Sequence, residues 1–239
     1  MAEDETLEQR LTELLEELAE LMDSDPEAAI DLAERGEPEL ASHPEVRLAR
    51  CHALWLARGV EAAKQGFQAL LADHDDYADA HADLAVAYDE LGEDNLRNQH
   101  LLRVLALDTA QDREAGFDAS EYEEFIVETA ERTVQKLPPE FRQRLRDVPI
   151  LLEERPSEAL VREGFDPRAL GLFEGGDHEH HRAAESSDTP TRIVLYTANL
   201  TAECEDPEGL QREVEITVLH ELGHYFGLDE DDMVRLGLD

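Results

Sequence analysis

The chain has 239 residues, 41% of them hydrophobic, which is enough to bury a core and, by length, to form one or two domains. Its 59 acidic residues outweigh 21 basic ones to give a formal net charge of -38, which argues against nucleic acid or an anionic membrane as a partner, since both require a basic patch. No segment approaches the roughly 20 apolar residues of a membrane span, the acidic start Met1-Ala2-Glu3-Asp4-Glu5 lacks the apolar run of a secretory signal, and Cys51 and Cys204 offer no disulfide framework, which fits a reducing cytoplasm.

The N-terminal half, residues 1–112, is helical by periodicity and carries a repeating pattern. Residues 78–111 fit a helix-turn-helix unit, with Leu84, Ala85 and Tyr88 on its first helix, Gly92 at the turn, and Leu101, Val104 and Leu105 on its second. A step back of about 34 residues from those last three lands on Phe67, Leu70 and Leu71. The preceding first helix carries Leu48, Cys51, Leu54 and Trp55 and ends before Gly59. Residues 7–43 form a weaker, earlier unit. This pattern resembles the tetratricopeptide repeat, although Arg97 stands where that family has a small residue and Thr109 where it has a proline. The resemblance implies stacked helical hairpins that either bind a peptide or protein partner or act as a cap on the rest of the chain.

Residues 109–118 are polar, contain Gly116 and suit a linker. An amphipathic helix follows over 119–136, its apolar face carrying Tyr122, Phe125, Ile126, Ala130 and Val134, and Leu137-Pro138-Pro139 stops it. Val148 to Leu152 and Ile193 to Tyr196 are short apolar stretches. Between them lies a segment rich in Gly, Ser, Asp and Glu, residues 175–190, that reads as a long loop. Its His178, His180 and His181 lack the fixed spacing that a helix gives to metal ligands and read as part of an exposed, flexible loop, which would serve as a lid or a substrate contact if it lies over the cleft.

The last predicted helix carries the chemistry. Asp206-Pro207-Glu208 supplies an N-cap, a proline at the first helical position and an acid in the first turn, and Gly227 supplies a C-terminal stop. Leu210, Val214, Val218 and Leu222 form a packing row, nearly opposite the row that holds His220 and His224. Histidines four apart lie one above the other and can reach a single zinc ion at roughly 2.0 to 2.1 Å. Glu221, about 100° round the helix from His220, sits beside such an ion and can act as general base. Three protein ligands leave one position of a tetrahedral zinc open. Glu230 stands where the HExxHxxGxxH/D arrangement places its third ligand, with Asp229 and Asp231 as acidic neighbours.

With these residues in place, the chain from about 119 to 239 resembles the small bacterial minimal-zincin metallopeptidase family. His220, Glu221, His224, Gly227 and the acidic Glu230 carry the resemblance, together with Leu137 to Phe141, Val148 to Leu152, Leu170 to Gly175 and Ile193 to Tyr196. Members commonly have Asp where Glu230 stands. The resemblance implies a small sheet packed on the active-site helix, with the metal in a cleft beside an edge strand.

The expected architecture is therefore α+β, with an all-α helical region at 1–112 and a zincin-like domain at 119–239. The expected function is a cytoplasmic zinc-dependent peptidase in which His220, His224 and Glu230 bind Zn2+ and Glu221 is the general base. Tyr196, Tyr225 and the loop histidines are open alternatives as oxyanion donors. The acidity reads either as a solvated, solubilising surface or as a field that recruits basic peptides. A non-catalytic helical adaptor with a metal-binding zincin-like domain is the alternative, and an intact Glu221 argues against it.

Overall fold

In the computed structural model, which describes residues 6–145, 148–175, 192–204 and 206–228, the Thr6 side chain accepts from Gln9 N–H while Gln9 reaches back to the Thr6 backbone. This capping box satisfies two of the N–H groups that a helix start leaves without partners, and opens α1 (Leu7–Ser24). Asp25 then caps α2 (Pro26–Arg35) by accepting from Ala28 N–H. Next come α3 (Pro38–Ala41), α4 (Pro44–Arg58), α5 (Val60–Asp73), α6 (Ala78–Glu90) and α7 (Asp94–Ala115). Proline occupies the first turn of α2, α3 and α4, where its missing N–H costs nothing.

The chain divides into two units, one of Met1–Arg113 with Glu158–Gly164 and the other of Glu114–Ser157 with Phe165–Asp239. In the first, Leu18, Ile30, Val46, Ala53 and Leu54 close a core among α1, α2 and α4. A second core, around Cys51, Phe67, Leu70, Leu84 and Tyr88, joins α4, α5 and α6. The turns between α4 and α5 and between α6 and α7 fall at Gly59 (φ 84°) and Gly92 (φ 70°), left-handed conformations that glycine alone adopts without strain. Arg47, Arg50 and Arg58 pair with Asp73, Glu34 and Glu27 across neighbouring helices. These pairs are largely solvated and so add little to stability.

Helix α7 runs to Ala115, through most of the stretch expected to be a linker. Thr109 to Ala115 contains neither Gly nor Pro, so helical propagation continues until Gly116 (φ 68°) ends it. On α6 and α7 the rings of His81 and His100 meet, with Nδ1 atoms 2.7 Å apart, and Tyr88 stacks on His100 at 5.5 Å. The short helix α10 (Glu158–Arg162) belongs to this first unit, where Asn98 donates to the Arg162 carbonyl at 2.9 Å.

The second unit holds α8 (Ser120–Lys136), α9 (Pro139–Arg144), β1 (Ile150–Glu153), β2 (Gly171–Glu174), β3 (Arg192–Tyr196), α11 (Thr197–Ala202) and α12 (Pro207–Tyr225). The molecule is thus α+β. Among the described residues the sheet order is β1-β3-β2, with β1 parallel and β2 antiparallel to β3. Register pairs Ile150 with Ile193 and Gly171 with Leu195. The central strand is buried from Ile193 to Tyr196. Against it packs the row Leu210, Val214, Val218 and Leu222 of α12, all buried, with Ile126 and Ala130 of α8 completing the core. Tyr122 leaves the expected apolar face of α8: it is 38% exposed and stacks on Phe117.

Candidate metal and catalytic site

Helix α12 is held at both ends. Asp206 accepts from Gly209 N–H at 2.6 Å. At the other end Gly227 (φ 79°) lets Leu228 N–H reach the Gly223 carbonyl and Gly227 N–H reach the His224 carbonyl, both at 3.0 Å. This is the Schellman closure, which satisfies carbonyls that the helix end would otherwise leave open. The ring-bearing face is therefore aligned by a helix fixed along its length, not by a fraying terminus.

On that face the Nε2 atoms of His220 and His224 lie 3.0 Å apart, with ring centroids 4.7 Å apart and planes at 78°. Two nitrogens bound at about 2.0 to 2.1 Å to one tetrahedral zinc would be about 3.3 Å apart, so the observed convergence suits a single small cation of that coordination. The glutamate between them, Glu221, is buried at 7% exposure. Glu230, Asp229 and Asp231 lie outside the described residues, as do His178, His180 and His181. Among the described residues, no group of three His, Cys, Asp or Glu gathers to hold a metal.

The pair opens into a cavity of about 520 Å³. Helix α12 contributes Glu213, Ile216, Thr217, His220, Glu221 and His224 to its lining. The facing wall is Phe165 and Ala169 to Phe173. Strand β2 provides much of that wall and stands at the edge of the described sheet. Gly171 is the point of closest approach: a Cβ built on it would lie 2.8 Å from Thr217 Cγ2 and 3.1 Å from both Cγ and Oε1 of Glu221. The absence of a side chain there lets the strand backbone close against the carboxylate.

Asn199, which drew no notice in the sequence, sets that wall. Buried at 3% exposure, it donates to the carbonyls of Pro167 and Ala169 and accepts from Arg155. All three contacts are far apart in sequence, and a single Asn within Thr197-Ala198-Asn199-Leu200 carries no spacing signal. Of the two tyrosines considered as oxyanion donors, Tyr225 gives its hydroxyl to the Arg144 carbonyl at 3.2 Å and Tyr196 is fully buried. Neither lines the cavity. Burial, with Glu153, Glu174 and Glu221 nearby, pushes the Tyr196 phenol well above its usual range and keeps it protonated.

Residues 145–238 match the family model described as Zincin-like metallopeptidase. The match covers less than half of the chain and contains the whole α12 face. No curated protein matches the chain. Among the described residues, no helix is long and apolar enough to cross a membrane.

Proposed function

We propose that this protein is a zinc-dependent peptidase, with His220, His224 and Glu230 as metal ligands and Glu221 as general base. The observation that carries the proposal is the 3.0 Å convergence of the two Nε2 atoms beside a buried carboxylate in an apolar-walled cavity, within a segment similar to metallopeptidases. When bound, zinc supplies Lewis acidity, lowering the pKa of a water toward neutrality and polarising a carbonyl.

The protein's own groups account for the remaining chemistry. Glu221 takes a proton from the attacking water and returns it to the leaving amine. Its burial between α12 and β2 holds the carboxylate in one place for both transfers. The edge of β2 offers backbone donors and acceptors along which an extended peptide aligns as an added strand, and Phe165, Leu172 and Phe173 exclude water and receive apolar side chains. In the helical unit, α4 and α6 present Leu56 and Val86 at 62% and 54% exposure, a surface suited to a substrate or protein partner. The free thiols of Cys51 and Cys204 accord with the cytoplasm as the working compartment.

The test compares wild type with Glu221→Gln, His220→Ala and Glu230→Ala by elemental analysis and by digestion of a mixed peptide library. Glu221→Gln is expected to keep zinc and lose cleavage, His220→Ala to lose both, and Glu230→Ala to bind zinc more weakly. Stoichiometric zinc in a wild type that cuts no peptide would point instead to a helical adaptor with a metal-holding domain.

A further inference from the structure

The cavity face of α12 extends beyond the two histidines. Glu213 lies two helical turns before His220, within about 20° on the helix circumference and about 10.5 Å along the axis, and both line the same cavity. Between them sit Ile216 and Thr217, and opposite stand Phe165 and Leu170. Among the described residues, no Lys or Arg lines this space. The nearby Glu215 is occupied by Lys136 at 3.0 Å and by Gln211 at 3.1 Å, whereas the Glu213 side chain has no hydrogen bond or ion pair among the described residues. A half-buried carboxylate at the end of an apolar cavity, given no cation by the described residues, suits one brought by the ligand.

We infer that Glu213 is a specificity-determining residue that selects a lysine or arginine side chain two or three residues from the scissile bond. An extended peptide advances about 3.3 Å per residue, so roughly three residues cover the separation between Glu213 and His220, and a long basic side chain reaching along the groove shortens this to two. The methylene stem of that side chain lies on Ile216 and Phe165 while its charged end meets Glu213, the division of contacts that Lys and Arg favour. The net charge of -38 raises the local concentration of cationic peptides, so the field of the chain and the local site select the same ligands.

This inference rests on the peptidase reading for its first assay, and a second assay does not. In the first, peptides that differ only by Lys or Met at each position around the cleavage point are compared by kcat/KM, and the Lys-to-Met ratio is taken within each protein so that any general loss of activity cancels. The ratio is expected to be about tenfold or more for wild type, to fall to within about twofold for Glu213→Gln, and to reverse toward Glu-containing peptides for Glu213→Lys. In the second, fluorescence anisotropy follows the same Lys and Met peptides binding to Glu221→Gln and to Glu221→Gln/Glu213→Gln. The single variant is expected to prefer the Lys peptide by about tenfold and the double variant to lose that preference. If the wild type cuts nothing, the peptidase reading fails and the binding assay still decides the role of Glu213. A Lys-to-Met preference that is absent, or that survives Glu213→Gln, overturns the inference.

Discussion

A single methyl group at Gly171 is predicted to separate the stability of the zincin-like unit from its chemistry. In Gly171→Ala the new Cβ would fall 2.8 Å from Thr217 Cγ2 and 3.1 Å from Glu221 Cγ and Oε1. Carbon atoms pack at about 3.5 to 4.0 Å, so one of the partners must move by roughly half an ångström or more. Overpacking of this kind costs about 1 to 3 kcal/mol. Because β2 is tied to β3 through Gly171↔Leu195 and α12 is locked by its buried row, the Thr217 contact remains strained while the Glu221 side chain relieves its own contacts by moving. On the proposed peptidase reading, a displaced general base is expected to lower kcat by about 10²-fold, while the histidine nitrogens, which are not among the atoms nearest the new methyl, are expected to keep their zinc. Thr217→Ser removes the closest clash, so Gly171→Ala/Thr217→Ser is expected to recover the melting temperature without recovering kcat. Thermal denaturation, zinc content and peptide hydrolysis of the two variants provide the assay. A Gly171→Ala protein with wild-type kcat, or a double variant that regains both properties, would refute the idea that this glycine makes room for the base.

Asn199→Ala removes the donor to the carbonyls of Pro167 and Ala169 and one acceptor of Arg155. The expected loss is about 2 to 3 kcal/mol by denaturant titration, with a raised KM from a looser cavity wall, and an unchanged midpoint would remove Asn199 from this role. In the helical unit, His81 Nε2 faces the Asp75 carbonyl at 3.0 Å and so carries a proton, leaving its Nδ1 to accept from His100 Nδ1–H. Burial first, then His81, lowers the His100 pKa to about 4, and burial lowers that of His81 as well. The unfolded chain, with His near 6.5, therefore binds more protons between about pH 4 and 6.5. The stabilisation is present above pH 6.5 and is lost as the pH falls toward 4. Allowing for the partial exposure of His100, it amounts to about 1 to 2 kcal/mol. His100→Phe, which keeps a ring against Tyr88, should reduce the drop in stability between pH 7 and pH 4.5 by that amount, and parallel pH profiles for the two proteins would show that the pair is not held neutral.

The ends of α12 and the residues that share each of its faces were legible in the sequence because both rest on local rules. Asp206-Pro207 and Gly227 act through neighbouring backbone groups, and the Leu210 to Leu222 row and the His220–His224 pair follow from helix pitch alone. Tyr122 misled because periodicity marks a face without saying how far the core extends along it, and α8 buries Ile126 and Ala130 but not its first turn. The linker expected at residues 109–118 misled for a related reason: polar composition describes solvent exposure, while the helix ends only where Gly116 permits a turn.

By itself, then, the sequence determined which residues share a helix face, where that helix begins and ends, and that two imidazoles and a carboxylate stand together on it. Only the tertiary structure decided that β2 is the strand at the cleft, that Gly171 admits it against Glu221, that Asn199 ties down the loop before it, and that Glu213 faces the same cavity as the histidines. The physical reason is distance along the chain. Helix geometry repeats every few residues and is written in local spacing, whereas the contacts of Gly171 and Asn199 join segments 30 or more residues apart, whose meeting depends on how the sheet and helices pack.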